Sequence, residues 1–383
     1  MSRSVRVPMV LLMCAALCLL APWPARSLAA PSQPPSLDQA AQMAVQGAFG
    51  ECTPDRPQHN SPAVYRICRP PWWWSNNGDL VIWAHGYVDP ALPVQIPEDQ
   101  LCMDNGLCIP DMVNLLGYNF ATTSYAVNGL AVLPGIQDVI ELVSLYTEEF
   151  GAPDHVLIVG VSEGGLITAL AVEQYPDVFD GGLATCGPIG NFQKQINFFG
   201  DFRVVLDYFF PGLIPGSPVD IPPDLIPIWD GYYRQSVEPV VFARAHRSEL
   251  QQLFNVTKAA YDRWDRLATM RTSVEDLLWY DVKATNNANQ VLGGQPFDNA
   301  NRTYRGSLDD GALNAGVARF AADPAAKAAV QAHYQTTGVL SKPLVTLHTT
   351  LDQQVPYWHE QLYLAKTKAS GAWPVYHEEY PPT

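Results

Sequence analysis

Val156-Leu157-Ile158-Val159-Gly160-Val161-Ser162-Glu163-Gly164-Gly165 is the stretch on which the fold turns. Its first six residues are almost purely aliphatic and too short for a buried helix, so they read as a strand covered on both faces. From Gly164 to Gln174 the pattern changes to that of an amphipathic helix, stopped before Pro176. A Gly-x-Ser-x-Gly match alone arises by chance in about one chain in ten of this size. Between a strand and a helix it has a mechanical meaning. The serine sits on a strained turn that lifts its hydroxyl out of the sheet, and the flanking glycines leave room for that turn. Ser162 is therefore the candidate nucleophile.

Strands and helices alternate on either side. Leu80–Ala84, 119–126 and 182–186 are further apolar runs of strand length. Ile136, Val139, Ile140, Val143, Tyr146 and Phe150 recur at helical spacing until Gly151 and Pro153. A late block repeats the pattern, with strand 343–348, helix 356–370 and strand 374–380. Such repetition implies crossovers onto a mostly parallel, doubly wound α/β sheet. Residues 190–340 do not fit that sheet and read as an inserted helical lid. Thr272 with Glu275 suggests a capping box, and Asp323-Pro324 opens an Ala-rich helix that Gly338 closes. The lid's aromatic residues, Phe198, Phe199, Phe202, Tyr208, Phe209, Phe210 and Trp229, read as its own core. The implied domains are a leader over 1–30, a Pro-rich linker and N-terminal segment over 31–62, a core over 63–189 and 341–383, and the lid between.

A serine hydroxyl needs a base to take its proton, and the oxyanion it creates needs N–H donors already aimed at it. The backbone amide after the nucleophile, that of Glu163, is one donor. The loop Ala84-His85-Gly86-Tyr87, directly after an aliphatic strand, supplies the other through Tyr87. Asp352 follows strand 343–348 at its carboxyl end, where catalytic groups gather in open α/β sheets, and is the candidate acid that orients a histidine.

These three motifs, His85-Gly86, 160–164 and the Asp352 segment ending in Val355-Pro356, stand in the order found in the α/β-hydrolase superfamily. The chain resembles a secreted, esterase- or lipase-like member of it from about residue 63 to 380, with 190–340 in the place of the variable cap. The resemblance implies a Ser-His-Asp triad, an acyl-enzyme intermediate, ester cleavage and no cofactor. One part of the pattern is missing, because the family's histidine follows the last strand. His377 lies within the strand 374–380 and is a weak candidate; His359 lies in the first turn after Asp352. The expectation is that the chain continues beyond Thr383 with a Gly-His loop and a closing helix.

Composition narrows the partners. With 48% hydrophobic and 11% aromatic residues the chain can bury a large core. A formal charge of −15 opposes a phosphate backbone, so nucleic acid is not an expected partner. No closely spaced Cys/His cluster or phosphate-cradling Gly-rich loop is present, so neither a metal nor a nucleotide enzyme is the first reading. The expected partner is a small-molecule or polymeric ester. Arg3 and Arg6 before the apolar stretch 7–21, then Ser27, Ala29 and Ala30, read as a secretory signal rather than a membrane anchor, which places the mature chain outside the cell or in the periplasm. There, Cys52 with Cys68 and Cys102 with Cys108 could pair, leaving Cys186 single. Two other functions stay open: a serine peptidase on the same fold, for which the run Asp262, Arg263, Asp265, Arg266 is the one charged feature of note, and an inactive binding relic, for which Trp72-Trp73-Trp74 could present a flat indole surface.

Overall fold

The computed structural model describes residues 49–103 and 106–380, so the leader, its two cysteines and the Pro-rich linker lie outside it. The described strands form one sheet: β1 (Glu51–Cys52), β2 (Arg56–Pro57), β3 (Val64–Arg69), β4 (Leu80–Ala84), β5 (Asn119–Thr123), β6 (Val156–Val161), β7 (Gly181–Thr185), β8 (Leu344–Leu347) and β9 (His377–Tyr380). Their order is β1-β3-β5-β4-β6-β7-β8-β9, with β2 also on β3. The pairs from β5 through β9 are parallel, and β1, β2 and β5 pair antiparallel to β3. The two N-terminal strands, which lie in the N-terminal segment read from the sequence, thus extend the sheet edge.

The six strands read from the sequence are all present, and the two purely aliphatic ones keep the same boundaries. The reason is burial on both faces. Leu80, Ile82 and Ala84 enter one core with Ile158 and Ala184, whereas Val81, Trp83, Val159 and Leu183 enter the other. Helix α1 (Ile109–Leu115) covers the second face; α2 (Val132–Phe150) and α3 (Glu163–Gln174) cover the first. α3 is not amphipathic as expected: Glu163 to Val172 are buried without a break, because the helix is packed between the sheet and α2.

Between β7 and β8 lie α4 (Phe192–Phe209), α5 (Arg247–Thr257), α6 (Arg266–Leu292) and α7 (Pro324–His333), with shorter turns. Most of this insertion packs on a hydrophobic cluster of its own that includes Phe202, Trp229, Phe254 and Leu277. The capping box at Thr272 and Glu275 does not form. The helix starts at Arg266, since Met270, Val274, Leu277 and Leu278 carry its buried stripe back through that point, and Thr272 Oγ1 donates to the Ala268 carbonyl instead. Asp323 precedes α7 as read, but that helix ends at His333, short of Gly338. Helix α8 (Trp358–Ser370) follows β8.

Disulfides join Cys52 to Cys68 across β1 and β3, and Cys102 to Cys108, and Cys186 is free and buried. No helix among the described residues is long and apolar enough to cross a membrane. Of the three indoles, Trp74 donates to the Leu115 carbonyl and packs edge-on against Phe49 and Trp73, which leaves Trp72 and Trp73 outermost rather than a flat face of three.

Candidate active site

Strand β6 ends at Val161 and α3 begins at Glu163, so Ser162 alone makes the turn. Its backbone is at φ 57° and ψ −119°, a conformation costly for any residue with a Cβ. Three bonds hold it there: Ser162 N–H donates to the Thr185 carbonyl at 2.9 Å, and the Ser162 carbonyl accepts from Gly165 and Leu166. The glycines are a steric requirement. A Cβ on Gly160 would lie 2.1 Å from the Gly164 carbonyl oxygen, and one on Gly164 would lie 2.0 Å from that of Ala84. The elbow is thus pressed against the end of β4, which carries the next loop.

In that loop His85 is buried, stacked on Tyr125 at 3.8 Å, with its Nδ1 2.7 Å from the Gly86 carbonyl. Burial lowers its pKa to about 4, against that hydrogen bond, so it stays neutral and braces the turn. Tyr125 Oη donates to the His85 carbonyl. Gln100 Oε1 accepts from Gly86 N–H at 2.7 Å, and its Nε2 donates to the Tyr87 carbonyl. The peptide of Tyr87 is therefore held from both sides beside Ser162 and Glu163, with which it lines one cavity. Glu163, the first residue of α3, has an N–H without an intrahelical acceptor.

Register brings the rest to the same edge. Val161 pairs with Thr185, Thr185 with Leu347 and Leu347 with Tyr380, so Ser162, Cys186 and His348 all emerge at one level, that of the end of β9. Asp352 belongs to the β8 loop, two strands from Ser162. Its Oδ1 accepts from Gln354 and Val355 N–H at 2.9 and 2.8 Å, and its Oδ2 lies 3.6 Å from His348 Nε2. Burial raises its pKa, and His348 and the two amides oppose the rise. His348 is itself buried. Burial favours its neutral form, but Glu360, Asp352 and the Val355 carbonyl together raise its pKa. Ligand atoms of Cys186, His348 and Asp352 lie within 4.8 Å of one another, a set that could hold a metal ion. His348 Nε2 already bonds the Val355 carbonyl at 2.7 Å, and burial pushes the Cys186 thiol up, so the groups present favour hydrogen bonding over ligation.

The histidine candidates do not reach the site. His377 pairs with Leu344 at the start of β8, about 10 Å below the edge at ~3.3 Å per residue. Its two nitrogens bond Thr346 and Thr367. His359 accepts from Gly190 N–H through Nδ1, while Nε2 donates to Gln195 Oε1, so it ties α8 to the start of α4. No histidine lines the cavity among the described residues.

That cavity has a volume of about 130 Å³ and a mostly apolar wall in which Phe192, Ile196, Phe199 and Phe297 join Ser162. Of the seven lid aromatics singled out from the sequence, Phe199 lines it, whereas Phe202, Phe210 and Trp229 are core. The sequence reading missed Tyr280. This α6 residue lines the cavity with Ser162, stacks on Phe199 at 5.0 Å and packs edge-on against Tyr87. Its helical context marked it only as lid, and no motif points to it. The run Asp262 to Arg266 does not contribute to the wall.

The prolyl oligopeptidase family model matches residues 116–196, which span β5, α2, β6, the elbow, α3 and β7. Over that stretch the chain is similar to this hydrolase family. The chain is also similar in structure to an acylaminoacyl peptidase of Pyrococcus horikoshii, at 11% identity and TM-score 0.44, covering 90% of this chain. It spans only 38% of that peptidase's length. A ligand-bound form of the rice cell wall degrading esterase LipA from Xanthomonas oryzae gives 13% identity and TM-score 0.46, covering 90% of this chain and 87% of that one. An esterase from Aspergillus oryzae gives 16% and 0.39, covering 84% and 69%. No curated protein matches the chain by sequence.

Proposed function

We propose that this chain is a serine hydrolase that cleaves carboxylic esters through an acyl-enzyme. The observation that carries the reading is Ser162 at positive φ between β6 and α3, in a turn that two obligatory glycines make possible. Ser162 Oγ attacks the carbonyl carbon as its proton passes to a histidine, and the amide N–H groups of Tyr87 and Glu163 receive the oxyanion. Collapse expels the alcohol, which takes the proton, and water releases the acid by the same steps. Asp352 orients the imidazole. No cofactor is needed. The apolar cavity favours an ester with a short or compact acyl group. A leader of secretory type and two disulfides support export to an oxidising compartment.

A peptidase is the second reading, favoured by the family match over residues 116–196. A fluorophosphonate probe with a Ser162→Ala control tests the nucleophile, and matched p-nitrophenyl esters and anilides separate the two substrates. Covalent labelling confined to the wild type and faster ester turnover are expected. A folded chain that does not label would be a binding relic.

A further inference from the structure

Glu163 enters the mechanism above only through its backbone, yet its side chain is the odd group in the cavity. It is 7% exposed and lines the wall beside Ser162. Oε1 accepts from Ala131 N–H at 2.9 Å, at the start of α2, whereas Oε2 is buried with no hydrogen-bond partner among the described residues. Two further wall groups are in the same condition: Tyr87 Oη, and Oδ1 of Asn289, whose Nδ2 donates to the Val219 carbonyl. The cavity therefore presents two free buried acceptors and a phenol. The wall contains no lysine, arginine or histidine. Asp281, the other acid there, is bonded to Arg203 at 2.6 Å. Buried polar atoms are costly unless something satisfies them, and an acceptor is satisfied only by a donor.

We propose that the Glu163 side chain is the polar subsite of this cavity and selects substrates whose acyl part carries a hydrogen-bond donor, an ammonium or hydroxyl group. The proposal rests on Ser162 being the nucleophile. The Ala131 bond fixes the carboxyl against α2, so Oε2 meets the substrate without reorganisation. Burial pushes the carboxyl up to about 8, so Oε2 is a free acceptor in the ionised form, which an ammonium ligand stabilises by displacing the proton and which a hydroxyl donor meets above that pH.

The test compares wild type with Glu163→Gln, which keeps the acceptor for Ala131 and replaces Oε2 by an N–H donor. Substrates are p-nitrophenyl propanoate, lactate, alaninate and β-alaninate. The readout is kcat/KM for each donor-bearing ester divided by that for propanoate. Effects on the oxyanion hole cancel in that ratio, and intrinsic ester reactivity cancels between the two proteins. A fall of about tenfold or more in the variant is expected. Loss on the two amino esters alone identifies a cationic substrate, and loss on lactate as well a neutral donor. Ratios unchanged within twofold overturn the proposal. Calorimetric titration with butylammonium needs no turnover and decides the subsite even if Ser162 fails to label and the hydrolase reading falls. Binding about tenfold weaker in the variant supports the subsite, and equal binding sinks it.

Discussion

Gly164→Ala tests the elbow without touching any reactive atom. The added methyl would stand 2.0 Å from the Ala84 carbonyl oxygen and 2.6 Å from that of His85. Ordinary contacts lie beyond 3.4 Å, so the elbow and the end of β4 must separate by at least about 1 Å. Neither side yields easily, because both oxygens are backbone atoms and β4 is locked in register between β5 and β6. Overpacking in cores costs about 1–3 kcal/mol, and a contact this short between rigid groups belongs at or above the top of that range. The same displacement moves the Tyr87 amide away from Ser162, and a misplacement of about 1 Å can cost ~100-fold in rate. Gly231→Ala is the control: it lies in the short helix Trp229–Tyr232 with open space at the Cβ, and should stabilise by about 0.5–1 kcal/mol. Urea midpoints give the stabilities, and the rate of fluorophosphonate labelling reads the site. A Gly164→Ala protein within about 0.5 kcal/mol of wild type and labelling within about threefold of it would refute the reasoning.

Three further outcomes follow from charges and crosslinks. Arg203 has no exposed side-chain surface and pairs with Asp281 and Asp207; Arg203→Met strands a buried Asp281 and should cost about 3–5 kcal/mol in urea titration. Removing the Cys52–Cys68 bridge by a double serine substitution, with a sequence separation of 16, should cost about 3 kcal/mol, measured as loss of urea midpoint under oxidising conditions. Glu163 gives a pH signature. With its pKa raised from 4.5 to about 8, the native chain keeps a proton that the unfolded chain has lost, so this group's contribution to stability falls as pH rises across that window. Glu163→Gln removes the loss, and its stability relative to wild type should rise between about pH 5 and pH 8; a flat difference means the native carboxyl ionises normally.

The sequence alone determined the elbow and the sheet around it. Aliphatic strands covered on both faces leave a continuous apolar signature, and the turn from β6 into α3 needs small residues at fixed offsets, so Leu80–Ala84, Val156–Val161 and the glycines around Ser162 were legible without coordinates. The place of Asp352 at the sheet's carboxyl edge was legible for a related reason, because a parallel strand delivers its loop to a known edge. Tertiary structure alone decided what depends on packing across long separations. His377 looked like a weak base from its place in the chain, and only its register with Leu344 puts it at the wrong end of the strand. The α6 helix starts at Arg266 because a packed stripe outweighs a local capping pair. Tyr280 joins the cavity wall beside Ser162 only once the insertion folds onto the sheet, a juxtaposition of residues more than a hundred positions apart that no local pattern encodes.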